Sequence, residues 1–97
     1  MAYQVYFSPD GLAQANERGQ WLATTYSARI KMDFLVALSE RVATLAQTPL
    51  MWPISPDYPD SRRCVIDRFT LMLYKVDEPT KSVEIFGVYD SRRPYRL

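Results

Sequence analysis

The spacing of the apolar residues is the strongest constraint on how this chain can fold. Residues 3–8 alternate with the period of a β-strand, and two stretches with helical spacing follow them. Ser8 and Pro9 predict the start of the first helix, because serine caps a helix and proline suits its first position. Gly19 weakens that helix, which is easier to understand if another backbone lies close to it. The first apolar stripe is Leu12, Ala15, Gly19, Leu22 and Tyr26.

A second helix is predicted from Ser27, a suitable cap, to about Gln47, before Thr48 and Pro49 end it. Few residues separate the two helices, so we expect an antiparallel helical hairpin. The second apolar stripe is Ile30, Phe34, Leu38, Val42 and Leu45.

Four prolines between residues 48 and 61 predict an irregular, stiff loop, and three strand patterns follow it at 63–67, 69–76 and 82–89. Apolar residues on both sides of the middle strand favour a central position. Short connections predict an antiparallel meander. We therefore predict one α+β domain over residues 1–97, ordered β-α-α-β-β-β, with the helical hairpin packed on one side of a small, mainly antiparallel sheet.

Composition excludes several kinds of chemistry. The sequence has no histidine, which removes Ser-His and Cys-His catalysis and histidine metal sites, and its three glycines form no phosphate-binding loop. We expect no metal and no cofactor. The single cysteine, Cys64, favours a reducing compartment, and we interpret it as a buried structural thiol. Without a membrane span or a secretory signal, the expected location is the cytoplasm.

The C-terminal segment carries the strongest candidate chemistry. Residues 61–97 have an excess of basic groups, with Arg92, Arg93 and Arg96 close to Tyr89 and Tyr95. Arginine can hold phosphate with two hydrogen bonds, and tyrosine can stack on a base or transfer a proton. Another interpretation is a solvated tail whose arginines pair with Asp90 or nearby carboxylates. If these arginines bind phosphate, they should lie together on one surface.

Four segments, in this order and spacing, resemble the RelE/ParE toxin superfamily. They are similar to the family's opening strand with its Ser-Pro helix start, the end of its second helix, its paired-strand signature and its closing strand with a Phe-Asp-Thr-Arg-like ending. The segments are YQVYFSP (3–9), LAQTP (45–49), RRCVIDRFTLMLYKV (62–76) and VEIFGVYDSRRP (83–94).

The resemblance implies a toxin of a type II toxin–antitoxin pair, of the kind that stabilises plasmids. Its partner would be a cognate antitoxin, usually encoded next door, which forms an oligomer with the toxin. ParE-type members poison DNA gyrase, whereas RelE-type members cleave messenger RNA on the ribosome without metal.

We favour a ParE-like member for two reasons. Thr70 follows Phe69 where the nucleases place an arginine, and the acidic segment 53–60 replaces a lysine-rich stretch of RelE. The alternatives are a RelE-like, metal-independent endoribonuclease and an inactive relative retained for its contact with the antitoxin.

Each hypothesis assigns residues. In a ribonuclease, Arg63, Arg92 and Arg93 would hold the scissile phosphate and Tyr95 would assist proton transfer. The candidate target-binding residues are Arg62, Arg68, Lys75 and Arg96. The candidate antitoxin-binding residues are Leu12, Ala15, Trp21 and Leu22, together with an edge of the sheet. Core packing is the simpler interpretation for most of these apolar residues, with Trp21 and Trp52 the best candidates for partial exposure.

Overall fold

The computed structural model describes residues 2–93 and confirms the predicted order of elements. A helical hairpin packs on a four-stranded sheet, which is the predicted α+β architecture. The elements are β1 (Gln4–Phe7), α1 (Pro9–Thr25), α2 (Ala28–Gln47), β2 (Arg62–Asp67), β3 (Thr70–Asp77) and β4 (Ser82–Asp90).

The sheet has the order β1-β4-β3-β2. Strands β2, β3 and β4 form the predicted antiparallel meander, and β1 adds to β4 in parallel. Both β3 and β4 are therefore inner strands. The meander followed from its short connections, whereas the parallel partner of β1 depends on how the hairpin crosses the sheet.

Both helices begin where the capping residues predict. The hydroxyl of Ser8 accepts a hydrogen bond from the Gly11 amide at 3.0 Å, and Pro9 is the first helical residue. The hydroxyl of Ser27 accepts one from the Ile30 amide at 3.2 Å. Each serine thus satisfies an amide that has no partner within its helix.

The main core lies between the hairpin and one face of the sheet. Phe34, Leu38 and Leu45 of α2 are buried there, as predicted. The stripes differ from the prediction at three positions, since Leu12, Tyr26 and Ile30 are exposed. Tyr26 and Ile30 lie on either side of the hairpin turn. The strand residues that complete this core are Cys64, Ile66, Met72, Tyr74, Val83, Ile85 and Val88.

Gly11 marks the closest approach of α1 to the sheet. A Cβ atom built at Gly11 would lie 2.2 Å from the carbonyl oxygen of Ile85 on β4. The same atom at Gly19 would first meet the side chain of Lys31, at 3.4 Å. The expectation that a backbone approaches Gly19 is therefore wrong, and the backbone contact is at Gly11, outside the predicted stripe.

The proline-rich loop is fixed to the body and covers the outer edge of β2. The Tyr74 hydroxyl donates to the carbonyl of Pro49 at 2.5 Å. The Arg63 amide donates to the Pro53 carbonyl at 3.0 Å, and the Arg41 Nε donates to the Val65 carbonyl at 2.8 Å. The loop and Arg41 of α2 thus occupy some of the backbone groups that could pair with another strand on this edge.

The opposite edge of the sheet is more open. The amides of Gln4 and Ser8 donate to carbonyls at either end of the paired part of β4. Because alternate residues of a strand point their amides to opposite sides, those of Val5 and Phe7 face away from β4. In the described part of the chain, neither helix has the length and apolar character needed to cross a membrane.

The two helix glycines provide a matched pair of substitutions. Gly11→Ala should destabilise the protein by about 1–3 kcal/mol, because the new methyl group would collide with backbone that cannot move independently. Gly19→Ala should be neutral or stabilising by up to about 1 kcal/mol, since the Lys31 side chain can move and alanine favours helix. Urea unfolding of both variants checks this. Equal effects of the two substitutions would contradict the close approach at Gly11.

Candidate interaction surfaces

Arg18 connects α1 to the ends of β3 and β4. Its Nε donates to the Thr70 hydroxyl at 3.1 Å, and its Nη1 lies 3.4 Å from Oδ2 of Asp90. Its Nη2 donates to the carbonyl of Phe69 at 3.3 Å. The side chains of Arg18 and Asp90 are only 10% and 13% exposed. This ion pair is therefore poorly screened and positions the helix relative to the strand ends.

Asp90 also binds Arg92 with both carboxylate oxygens. The Nε and Nη2 atoms of Arg92 donate to Asp90 at 2.9 Å and 2.6 Å, and the guanidinium lies over the Phe69 ring at 4.2 Å. Hydrogen bonds from Arg92, with the charges of Arg92 and Arg18, hold the pKa of Asp90 well below its usual range despite partial burial. Arg92 therefore pairs with Asp90, as the second interpretation of this segment predicts.

A groove of about 380 Å³ lies between the hairpin and the β2–β3 turn, and we call it the hairpin groove. Its exposed rings are Trp21, Tyr26 and Phe69. Trp21 and Tyr26 meet edge to face at 5.8 Å, and the Arg18 guanidinium lies 5.0 Å from the Trp21 ring. The full lining is Arg18, Trp21, Leu22, Tyr26, Ile30, Asp33, Phe34, Asp67, Arg68, Phe69 and Arg92.

The chemistry of the hairpin groove suits a protein segment. Exposed aromatic rings give a large apolar contact at low entropic cost, and arginine beside them can pair with carboxylates. Arg68 adds a third cation, stacked at 5.0 Å on Phe69. Arg18 and Arg92 already pair with Asp90, so Arg68 is the rim arginine for which no ion pair is seen among the described residues. Tryptophan, tyrosine and arginine are also the residues most enriched at binding hot spots.

The predicted antitoxin-binding residues do not form one surface. Trp21 is 40% exposed in the hairpin groove, and Leu22 lies at its floor with 6% exposed. Ala15 is buried in the core, whereas Leu12 is exposed away from the groove lining. Only Leu12 and Trp21 of the four present much surface to a partner.

A second depression, of about 250 Å³, lies on the other face of the sheet, and we call it the sheet-face depression. Cys64 and Met72 face the helices, so their neighbours Arg63 and Leu71 point to the opposite side. Leu71 pairs with Tyr89 across the β3–β4 ladder. The lining is Asp57, Arg63, Leu71, Tyr89, Ser91, Arg92 and Arg93.

Tyr89, which the sequence placed in the basic C-terminal segment without a role of its own, lies in this depression. Burial raises the pKa of its hydroxyl, against the opposing effect of Arg63, which donates a hydrogen bond to it. The phenol is therefore protonated at neutral pH and can donate a proton or a hydrogen bond. The alternation of β4 could have indicated Tyr89, since it places that side chain on the face that carries Arg63.

The structure brings some of the predicted catalytic residues together. Arg63 and Arg93 line the sheet-face depression, and Arg92 borders it while bound to Asp90. Tyr95 lies outside the described residues. Within residues 2–93, no three histidine, cysteine or acidic side chains cluster as a candidate metal site. Two guanidinium groups with a neutral phenol beside them can bind an anion here, and the Asp57 carboxylate is the opposing charge in the lining.

The predicted target-binding residues are spread over the molecule. Arg62 points under the loop, where its Nη1 donates to the Trp52 carbonyl at 2.7 Å. Lys75 lies 3.3 Å from Asp60, and Arg68 borders the hairpin groove. Arg96 lies outside the described residues. The described arginines of the basic half therefore divide between surfaces instead of sharing one, because successive residues of β2 point to opposite faces.

Two further residues singled out in the sequence are fully buried. Thr70, which stands where the resemblance places a nuclease arginine, is fully buried beneath Arg18. Cys64 is also fully buried, as predicted, and burial raises the pKa of its thiol to about 12. Both side chains are packing residues in this fold.

Comparison with known proteins supports the resemblance at the level of the fold. No protein-family model and no curated protein matches the sequence. The toxin–antitoxin complex RelBE2 from Mycobacterium tuberculosis contains a similar chain, with a TM-score of 0.67, 18% identity and coverage of 93% of this chain and 99% of that one.

Two further solved structures agree. A chain of the chromosomal ParDE system of P. aeruginosa has a TM-score of 0.75, 13% identity and coverage of 92% and 96% of the two chains. A free-state mutant of the E. coli toxin RelE has a TM-score of 0.64, 14% identity and coverage of 94% and 85%. The chain therefore has the fold of RelE and ParE toxins.

Asp90→Asn tests the ion pairs that organise both surfaces. We expect a loss of about 1–3 kcal/mol of unfolding free energy at pH 7, because Arg18 keeps its buried position without a counterion. The folded-state pKa of Asp90 lies below its unfolded value of about 3.9, so this contribution is complete well above that pH and disappears as the pH falls through the folded-state pKa.

Urea titrations of wild type and variant between neutral and acidic pH give the measurement. The difference between the two proteins should shrink below about pH 4. Asp60→Asn is the control, since Asp60 pairs with Lys75 in an exposed position and should change stability by less than about 0.5 kcal/mol at pH 7. A difference for Asp90→Asn that stays constant in acid would contradict the assignment.

Proposed function

We propose that residues 1–97 act as one domain, the toxin of a type II toxin–antitoxin pair, in the cytoplasm. A cognate antitoxin would neutralise it until the antitoxin is lost. The fold, shared with toxin chains of RelE and ParE systems, supports this proposal. The hairpin groove supports it independently, because an exposed aromatic and basic surface of this kind suits a protein partner.

We further propose that the toxin acts in the ParE manner, by binding a macromolecular target such as DNA gyrase. This choice rests on one observation: Arg18, Arg68 and Arg92 lie together around exposed aromatic rings in the hairpin groove. Binding requires no reactive group there. The pairing of Arg92 with Asp90 and the burial of Thr70 both remove features that a ribonuclease would use at these positions.

A supercoiling assay with purified gyrase tests this mode of action. Wild-type protein should inhibit supercoiling. Trp21→Ala and Arg68→Ala should each raise the inhibitory concentration about tenfold, because central aromatic and arginine residues dominate protein interfaces. Met51→Ala, which truncates an exposed apolar side chain of the proline-rich loop, should leave inhibition unchanged. Unimpaired supercoiling at saturating protein would exclude gyrase as the target.

The antitoxin should supply an extended or helical segment to the same molecule. Candidate contacts are Trp21 in the hairpin groove, the exposed Leu12 and the open edge of β1. Inducible expression with and without the adjacent small reading frame tests this directly. Growth arrest that the neighbour relieves is the expected result. Harmless expression without it would favour an inactive relative retained for antitoxin binding.

A RelE-like endoribonuclease is the second candidate, because Arg63, Tyr89 and Arg93 line one depression. In such a reaction the ribose 2′-hydroxyl attacks the adjacent phosphorus and loses its proton to a base. The bond to the leaving 5′-oxygen breaks, and a 2′,3′-cyclic phosphate forms. The two arginines would stabilise the charge on the phosphoryl oxygens, and the protonated Tyr89 would supply a proton to the leaving oxygen.

Transcript ends after induced expression distinguish the two candidates. If the ribonuclease hypothesis is correct, Tyr89→Phe and Arg63→Ala should each reduce cleavage by roughly a hundredfold, the size of effect expected for losing a general acid or a charge stabiliser. Arg62→Ala is a neighbouring control, since this side chain points under the loop. Unchanged transcript ends with wild-type protein would exclude this mechanism.

A further inference from the structure

The outward face of α2 carries an apolar stripe that neither proposed surface uses. Met32, Leu35 and Val36 are 58%, 39% and 50% exposed, and their spacing places them on one side of the helix. That side points away from the sheet, because the buried residues Phe34 and Leu38 occupy the opposite one. None of the three lines the hairpin groove or the sheet-face depression.

Two charges of opposite sign border this stripe. Arg29 and Glu40 lie about three turns apart on the same flank of α2. Both are exposed, and within residues 2–93 neither forms an ion pair. Asp33 lies further round the helix, where it borders the hairpin groove. The stripe therefore has a positive end, an apolar centre and a negative end.

We propose that this face binds a second copy of the chain, with the two α2 helices antiparallel about a two-fold axis. The charges fix the register, because an axis between Phe34 and Leu35 places Arg29 of each copy opposite Glu40 of the other. A two-fold axis forms this ion pair twice, on one flank of the contact. In any other register, Arg29 and Glu40 of both copies could not all form these ion pairs while the dimer keeps its two-fold symmetry.

The same register arranges the apolar side chains. Met32 and Val36 lie on either side of the two-fold axis, so the Met32 and Val36 side chains of one copy fit between the same side chains of the other. The two Leu35 side chains meet near the axis. Antiparallel helices packed at the usual distance of about 8–10 Å allow these contacts. Three half-exposed apolar side chains per copy make a small interface, so the dimer is weak and depends on concentration.

Sedimentation velocity of the full chain over the micromolar range tests the proposal. Wild type should shift from monomer to dimer as its concentration rises. Val36→Glu should remove the dimer, whereas Leu50→Glu should keep it, since Leu50 is comparably exposed but lies on the proline-rich loop. Circular dichroism verifies that both variants are folded. A wild type that stays monomeric, or a dimer that survives Val36→Glu, overturns the proposal.

A charge exchange tests the register itself. Arg29→Glu and Glu40→Arg should each weaken dimerisation by roughly tenfold, because each creates two like-charge contacts. The double variant restores both pairs in reversed polarity and should return to near wild-type affinity. Failure of the double variant to recover overturns the register. None of these readouts involves toxicity, so a negative result here leaves the proposed function untouched, and the converse also holds.

Discussion

The position of α1 against the sheet depends on the ion pair between Arg18 and Asp90. Near the start of α1, Gly11 lets the backbone contact β4, and about two turns later the Arg18 side chain reaches the ends of β3 and β4. The steric contact at Gly11 thus sets the distance between α1 and the sheet. The mostly buried Arg18 sets the rotation of α1 about its own axis. Both surfaces of interest include Arg92, which Asp90 also holds. A single carboxylate therefore organises the basic side chains on both sides of the sheet end.

The sheet separates two kinds of chemistry. The hairpin groove combines aromatic rings with arginines and suits a protein segment. The sheet-face depression combines Arg63, Tyr89 and Arg93 and suits an anion. Because alternate strand residues face opposite sides, a change at Arg63 or Tyr89 lies away from the hairpin groove, whereas Arg92 belongs to both surfaces. One strand can therefore supply residues to two surfaces of different chemistry.

Local patterns in the sequence were sufficient for the elements and their caps, since capping and hydrophobic period act over a few residues. Ser8, Ser27 and the meander all follow from short-range chemistry. The contacts of the sites were not predictable in the same way. Arg18 meets Asp90 across 72 positions of the chain, and no local pattern indicates that partnership. Gly11 was missed because the stripe of side chains does not reveal where backbones meet.

The two edges of the sheet differ in how readily they can pair with a strand of another molecule. On β2, Pro53 accepts from the Arg63 amide and Arg41 donates to the Val65 carbonyl, so part of this edge is already bonded. On β1, Val5 and Phe7 keep their amides turned outward. Edge-to-edge pairing between copies would therefore use β1 more readily than β2. Partial cover of the second edge disfavours the growth of a continuous sheet from copy to copy.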